Sequence, residues 1–332
     1  QPVAFLLLAG KIQPAQRRNW RDWLWPMTLT LVLEQTFNGL QAGVTLFLVA
    51  AGLTLILGIM DFVFLAHGAQ VMIGAYAAAA ITQATGNFFV GLGLAVPITF
   101  ASGYLLELLI IRHLYQRDHM EQVLATFGLI LFFNEAIRIG FGPAALYSDL
   151  PPSLSGFIEI LPETPYPAFR LGVIGVGLII ALGIHLFVSR TRIGAMVRAG
   201  ANNPEMTAAL GINIKILFRL IFATGACLAG VAGMMLGPLT AVQSGMGEPL
   251  LILSLVVIII GGIGSVRGAF VAAIIVGLVD TLGRVFLPSI LRLFFEQATA
   301  DGAGPALASM LVYILMAVVL IFRPTGLFPA KG

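Results

Sequence analysis

Residues 31–57, LVLEQTFNGLQAGVTLFLVAAGLTLIL, contain one charged side chain, Glu34, and are otherwise apolar, small or uncharged polar. A helix crosses the bilayer core with about 20 such residues, so this stretch is long enough to span it. An outer-membrane barrel would instead show strands of about ten residues alternating apolar and polar, and no such alternation is present. The rest of the chain follows the same pattern. Of its 332 residues, 59% are hydrophobic and only 10% charged, with a mean hydropathy of +0.99. Soluble domains carry about 25% charged residues, so a water-soluble fold is excluded. Cys227 is the single cysteine, which rules out a disulfide within the chain and any cysteine-based metal cluster.

Similar runs predict spans over 31–57, 62–83, 90–110, 121–140, 170–188, 215–237, 249–263, 268–288 and 306–322. The expected fold is all-α: a polytopic transmembrane bundle of about eight or nine crossings, forming one domain over 1–332. Basic loops favour the cytoplasm. Arg112 and Arg117 follow the third span, and Arg190, Arg192, Arg198 and Lys215 follow the fifth, so both loops are read as cytoplasmic. The connection over 141–169 is rich in Pro and Ser and bears Asp149, Glu159 and Glu163; it is read as external. Alternation then puts Glu248 outside, Arg267 inside, the segment 291–305 outside and the tail inside. Counting backwards leaves the basic stretch KIQPAQRRNWRDW (11–23) outside, against the rule. Either a further helix precedes it, in which case 1–10 is the tail of an incomplete apolar segment, or it lies at the interface, where Trp20, Trp23 and Trp25 suit a surface anchor.

Within the cytoplasmic loop 189–214, PEMTAALGI predicts a short helix. Asn203 can cap it, Pro204 suits its first turn, Glu205 complements the positive dipole end, and Gly211 can end it in a left-handed conformation. Such a helix, held rigidly between two spans, is where a soluble motor could push; a plain connecting loop is the alternative. In the sixth span Gly225, Ala229, Gly233 and Gly237 recur every four residues and allow a neighbouring helix to come close. The cluster GGIGSVRG, with Gly261, Gly262, Gly264 and Gly268, interrupts an apolar run and reads as a sharp cytoplasmic hairpin. No strand precedes it and no GxxxxGK[ST] pattern is present.

His67 lies in FLAHGAQVMIGAY (64–76) near Gly68, Gln70 and Gly74. An ionisable group inside a membrane marks a pathway or gate by default, although a histidine satisfied by a backbone carbonyl is an equal alternative. Glu135 with Arg138 and Asp280 with Arg284 are spaced to neutralise each other along one helix face, while His185, Glu34, Gln35 and Asn38 are expected to face other helices or the interface. No HExxH or GxSxG constellation occurs, and ATP hydrolysis, if used, must sit on another subunit.

These residues carry a family resemblance through nearly the whole chain. The stretches 37–76, 189–213, 222–237, 259–280 and FRPTGLF (322–328) together resemble the permease subunits of branched-chain amino acid ABC importers, a family that also includes urea and amide permeases. The resemblance implies a multi-pass protein of the bacterial inner membrane, surrounded by lipid and not engaging nucleic acid. It implies a second, homologous permease in a heterodimer, two ATPase subunits carrying ATP and magnesium, and a periplasmic binding protein, with no cofactor in this chain. The ATPase-docking stretch of the family corresponds to Arg192 through Asn213, which includes Gly194, Arg198, Asn203, Ala208 and Gly211. Relatives commonly read Asn-Phe-Ala-His-Gly where this chain has Phe64-Leu65-Ala66-His67-Gly68, so an apolar residue replaces the Asn unless Asp61 takes its place through a local insertion, and substrate specificity is not carried over.

The expected mechanism is alternating access, with His67, Gly68, Gln70 and Gly74 at the path and the 192–213 segment as the coupling element. An ion-coupled secondary transporter of small polar solutes is the rival. It calls for inverted repeats, and the breaks near 61–68 and 261–268 lack matching sequence around them. An intramembrane enzyme would need converging carboxylates, histidines or a nucleophile, which the sequence does not supply.

Overall fold

The computed structural model describes residues 20–161, 164–292 and 295–328. The apolar run 1–10, the basic stretch that begins at Lys11, Glu163 and the side chains of the three tryptophans lie outside what is described. The elements in chain order are α1 (Trp20–Met60), α2 (His67–Thr85), α3 (Phe88–Leu109), α4 (His119–Phe141), a hairpin of β1 (Phe157–Leu161) and β2 (Thr164–Pro167), α5 (Ala168–Arg190), α6 (Arg192–Asn202), α7 (Pro204–Ala209), α8 (Ile214–Leu236), α9 (Glu248–Gly261), α10 (Val266–Leu291) and α11 (Gln297–Phe322).

Among the described residues, 7 helices are long and apolar enough to cross a membrane. The other two segments read as spans have taken different forms. The 62–83 segment becomes α2, which starts only at His67 because 61–66 leaves the helix. The 249–263 segment becomes α9, whose 14 residues reach about 21 Å at 1.5 Å per residue, short of the roughly 30 Å hydrocarbon layer.

The bundle is built around α8. This helix packs against α1, α2 and α3, and most of its length from Ile221 to Met235 is buried. Lipid tails are as apolar as leucine, so membrane helices gain little by hiding apolar surface and instead rely on close packing of small residues. Gly225 approaches the backbone of Gly52 in α1, and Gly233 approaches that of Val71 and Ala75 in α2. Gly230, which is not in the every-fourth-residue series, is a further close crossing: Gly74 of α2 abuts its backbone on one side and Thr99 of α3 lies on the other. Ala229 is wholly buried, and Gly237 makes only ordinary contacts near Val242.

On the other flank α1 runs antiparallel to α10, with Gly39 beside Leu278, Gly43 beside Ala273 and Gly58 beside Gly264. The start of α1 therefore lies at the end of the bundle away from the α9–α10 turn. The tail returns to that turn, where the Leu327 and Phe328 amides donate to the Ile260 and Gly261 carbonyls at 2.8 and 3.0 Å. Gly262 and Gly264, at φ +102° and +79°, make the reversal, and Gly261 and Gly268 pack backbone to backbone across it.

The segment 141–169 is partly ordered as an antiparallel hairpin, pairing Phe157 with Pro167 and Ile158 with Tyr166, where the sequence predicted only a loop. Tyr166 is buried beneath it and donates to the Asn38 side chain at 3.0 Å; Arg170 donates to the same oxygen. This ties the hairpin to α1. The pairs Glu135–Arg138 and Asp280–Arg284 form at 3.8 and 2.9 Å.

The glycine crossings give a direct test. A methyl added at Gly233 would collide with the Val71 carbonyl, whereas one at Gly93 meets nothing within 4 Å. Gly233→Ala is expected to destabilise the bundle by about 3 kcal/mol or more, because backbone cannot move aside as a side chain can. Gly93→Ala is expected to stay within about 0.5 kcal/mol. Thermal midpoints of the two variants in detergent, read by monodispersity after heating, check this.

Candidate functional site

The helix that carries His67 begins inside the bundle. α1 ends at Met60, and Asp61, at φ +47°, is the one non-glycine residue among those described with a left-handed backbone. The chain then runs through 61–66 without helix and turns into α2 at His67. His67 Nε2 lies 3.1 Å from the Val49 carbonyl, and the ring edge borders Gly52. These α1 residues lie about 12–17 Å back from Met60 at 1.5 Å per residue. Six residues reach about 20 Å when extended, so residues 61–66 suffice to carry the chain back into the interior.

Non-helical backbone at this depth needs partners from the protein, because lipid offers none. α4 provides them. The Gln122 side chain accepts from the Val63 amide at 3.2 Å, and Thr126 Oγ1 accepts from the Leu65 amide at 3.4 Å. Both side chains are buried although α4 itself is mostly exposed. Phe62 and Phe64 are wholly buried, with Phe64 stacked on Phe222 of α8 at 4.7 Å and edge-on to the His67 ring at 5.9 Å. The apolar residue at position 64 thus fills a packed site in the core.

His67 and Gln70 are both fully buried, and each has one polar atom without a partner: Nδ1 of His67 and Nε2 of Gln70. With Nε2 donating to the Val49 carbonyl, His67 Nδ1 is a bare acceptor. The Gln70 oxygen accepts from Ser102 of α3 at 2.7 Å, which leaves its amide as a bare donor. Residues three apart on a helix are neighbours on one face. The first turn of α2 therefore presents an unpaired donor and an unpaired acceptor inside the bundle. Gly68, on a different face, meets the backbone of Gly247, so the first turns of α2 and α9 abut. Gly74 is at the α8 crossing and has no open space beside it. Glu248 in the first turn of α9 accepts from the Asn134 side chain at 2.6 Å.

The 189–214 segment folds as two helices where the sequence predicted one. Thr191 caps α6, accepting from the Gly194 amide at 2.9 Å. A side chain at Gly194 would strike the Phe187 and Val188 carbonyls, so glycine permits the sharp α5–α6 corner. Val197 and Gly200 turn inward, with Val197 packed beside Leu217 of α8, while Arg198 donates to the Val188 carbonyl. In α7 Asn203 accepts from the Met206 amide at 2.8 Å, Pro204 occupies the first turn, and Gly211 leaves the helix at φ +86°. Asn213 caps α8 through the Ile216 amide, and Ala208 and Arg192 are exposed.

α6 also walls a cavity of about 720 Å³ at this end, shared with Thr54 and Gly58 of α1, His185 of α5, Gly264 to Arg267 of the α9–α10 turn, and the tail residue Phe328. Of the residues assigned to ATPase docking, Arg198 borders this space, whereas Arg192, Gly194, Asn203, Ala208, Gly211 and Asn213 do not. The sequence did not single out Glu107 and Arg219. They pair at 2.7 Å between α3 and α8, with the Glu107 side chain 2% exposed, and Tyr115 donates to the other carboxylate oxygen at 3.2 Å. One acid and one base in two separate spans was the available signal.

The chain matches the family model described as the permease component of branched-chain amino acid transport systems over residues 35–320. The high-affinity branched-chain amino acid transport system permease protein BraD of Pseudomonas aeruginosa is 28% identical, over 89% of this chain and 95% of its own length. The corresponding LivH proteins of Escherichia coli and Salmonella typhimurium are 27% and 26% identical, over 89% of this chain and 94% of theirs. No solved structure matches. A match over residues 35–320 takes in all the spans described above except the ends of the first and last, and the chain belongs to the family of branched-chain amino acid transport system permease components.

Proposed function

We propose that the chain is the membrane subunit through which an ATP-driven importer passes branched-chain or other small amino acids, delivered by a periplasmic binding protein. It is a multi-pass protein of the inner membrane. ATP and magnesium bind on two separate ATPase subunits, and a second, homologous permease completes the membrane part as a heterodimer. The observation that carries this reading is the start of α2. There, two fully buried side chains each keep an unpaired polar atom, although burying an unpaired polar group costs about 1–3 kcal/mol. A polar solute moving through the bundle would satisfy both.

Coupling follows from the shape of the cytoplasmic end. α6 and α7 rest on the N-terminal half of α8, and α8 contacts α1, α2 and α3 further along. A push on α6–α7 by an ATPase subunit would reach the α2 crossing through α8 and would reshape the 720 Å³ cavity that α6 borders. Two conformations of similar energy are needed for this, and the ATPases would bias them. The hairpin over Phe157–Pro167, at the opposite end and anchored on Asn38, is the surface offered to the binding protein.

Two variants test these roles. Gly211 has open space around it but a left-handed backbone, so Gly211→Val strains the chain by about 1–2 kcal/mol without a clash, while Asn tolerates that conformation. In the reconstituted transporter, Gly211→Val is expected to keep ATP hydrolysis and lose most uptake, with Gly211→Asn close to wild type; unchanged uptake in the valine variant would remove the coupling role. His67→Ala is expected to reduce uptake at least tenfold while lowering stability by about 3 kcal/mol, the lost hydrogen bond together with the space left by a fully buried ring, with the subunit still assembling. Unaltered uptake kinetics would return His67 to a packing role.

A further inference from the structure

We infer that the cytoplasmic end carries a binding site for the headgroup of an anionic phospholipid, separate from the path and lined by no residue of α6 or α7. A cavity of about 690 Å³ opens there between the α3–α4 connection and the first turns of α8, bordered by Arg112, His113, Arg117, Lys215 and Arg219, with Glu107 as its one acidic side chain. The charges do not cancel. Glu107 is already engaged, accepting from Arg219 at 2.7 Å and from Tyr115 at 3.2 Å, and Arg117 leans on Glu121 at 3.5 Å. Arg112 and Lys215 are exposed and have no ion-pair partner among the described residues.

Two unpaired cations at the mouth of a half-open cavity suit a phosphate group. A lipid source is favoured over free phosphate by what lies next to the cavity. On the same two helices, one or two turns further into the membrane, Leu105, Leu109 and Leu220 are 51%, 65% and 41% exposed and would lie along acyl chains. Phe218 and Tyr115, edge to face at 5.8 Å, form the floor where headgroup meets chain. Basic pockets between spans on the cytoplasmic side are where anionic headgroups bind, at about 1 kcal/mol per basic residue.

The test uses the full chain, purified with its partner subunits, in nanodiscs of phosphatidylglycerol and phosphatidylcholine, with lipids retained after delipidation counted by native mass spectrometry. The wild type is expected to retain phosphatidylglycerol in preference to phosphatidylcholine. The double variant Arg112→Gln/Lys215→Gln is expected to bind phosphatidylglycerol about 25-fold more weakly, about fivefold per charge removed. The single variant Lys215→Gln, at an exposed position, gives the fivefold step even if the double variant does not fold. Equal retention by wild type and variants would overturn the site. So would equal retention of the two lipids. Full displacement by inorganic phosphate would assign the cavity to a free anion, and loss of retained lipid only when the ATPase subunits are present would assign it to an acidic protein surface; either result overturns the lipid reading.

Discussion

Backbone touching backbone at glycine is the constraint on which the bundle depends. In a bilayer, sequestering leucine from lipid yields almost nothing, so helices hold together by the density of their contacts. α8 is threaded through three such contacts, at Gly225, Gly230 and Gly233, and α1 is laid on α10 through Gly39 and Gly43 and on the turn before it through Gly58. Because α8 touches α1, α2 and α3 at once, no one of them can shift without disturbing the others. The helix that organises the core is also the helix into which the segment α6–α7 feeds.

A second constraint shapes the interior. A peptide group at membrane depth must find its hydrogen bond in protein. The break at 61–66 meets this with Gln122 and Thr126, two polar side chains on a helix that otherwise faces outward. That accounts for the position of α4: its apolar surface is largely exposed, and its polar pair keeps the break in place. The break in turn puts the start of α2, with its two unpaired atoms, in the middle of the bundle and away from its edge.

Much of this was legible in the sequence, and the parts that were not have physical reasons. Long apolar runs announced most of the helices, because they reflect the solvent directly. Asn203, Pro204 and Gly211 foretold α7, since caps and left-handed ends are local chemistry. α6 was missed although its sequence is amphipathic, with Val197 and Gly200 on the inward face that meets Leu217 of α8. Gly230 was missed because a series of every fourth residue assumes one partner helix, whereas α8 has three. The return of 61–66 into the core depends on side chains about 60 residues away, which no local pattern contains.

The Glu107–Arg219 pair has a consequence for how this sequence can change over time. A carboxylate left buried without its partner at Glu107, or a guanidinium left without its acceptor at Arg219, costs stability. Each single replacement therefore passes through a handicapped protein, although a chain lacking both charges need not be handicapped at all. The two positions, 112 residues apart in the chain, are expected to be inherited as one unit, kept together or exchanged together.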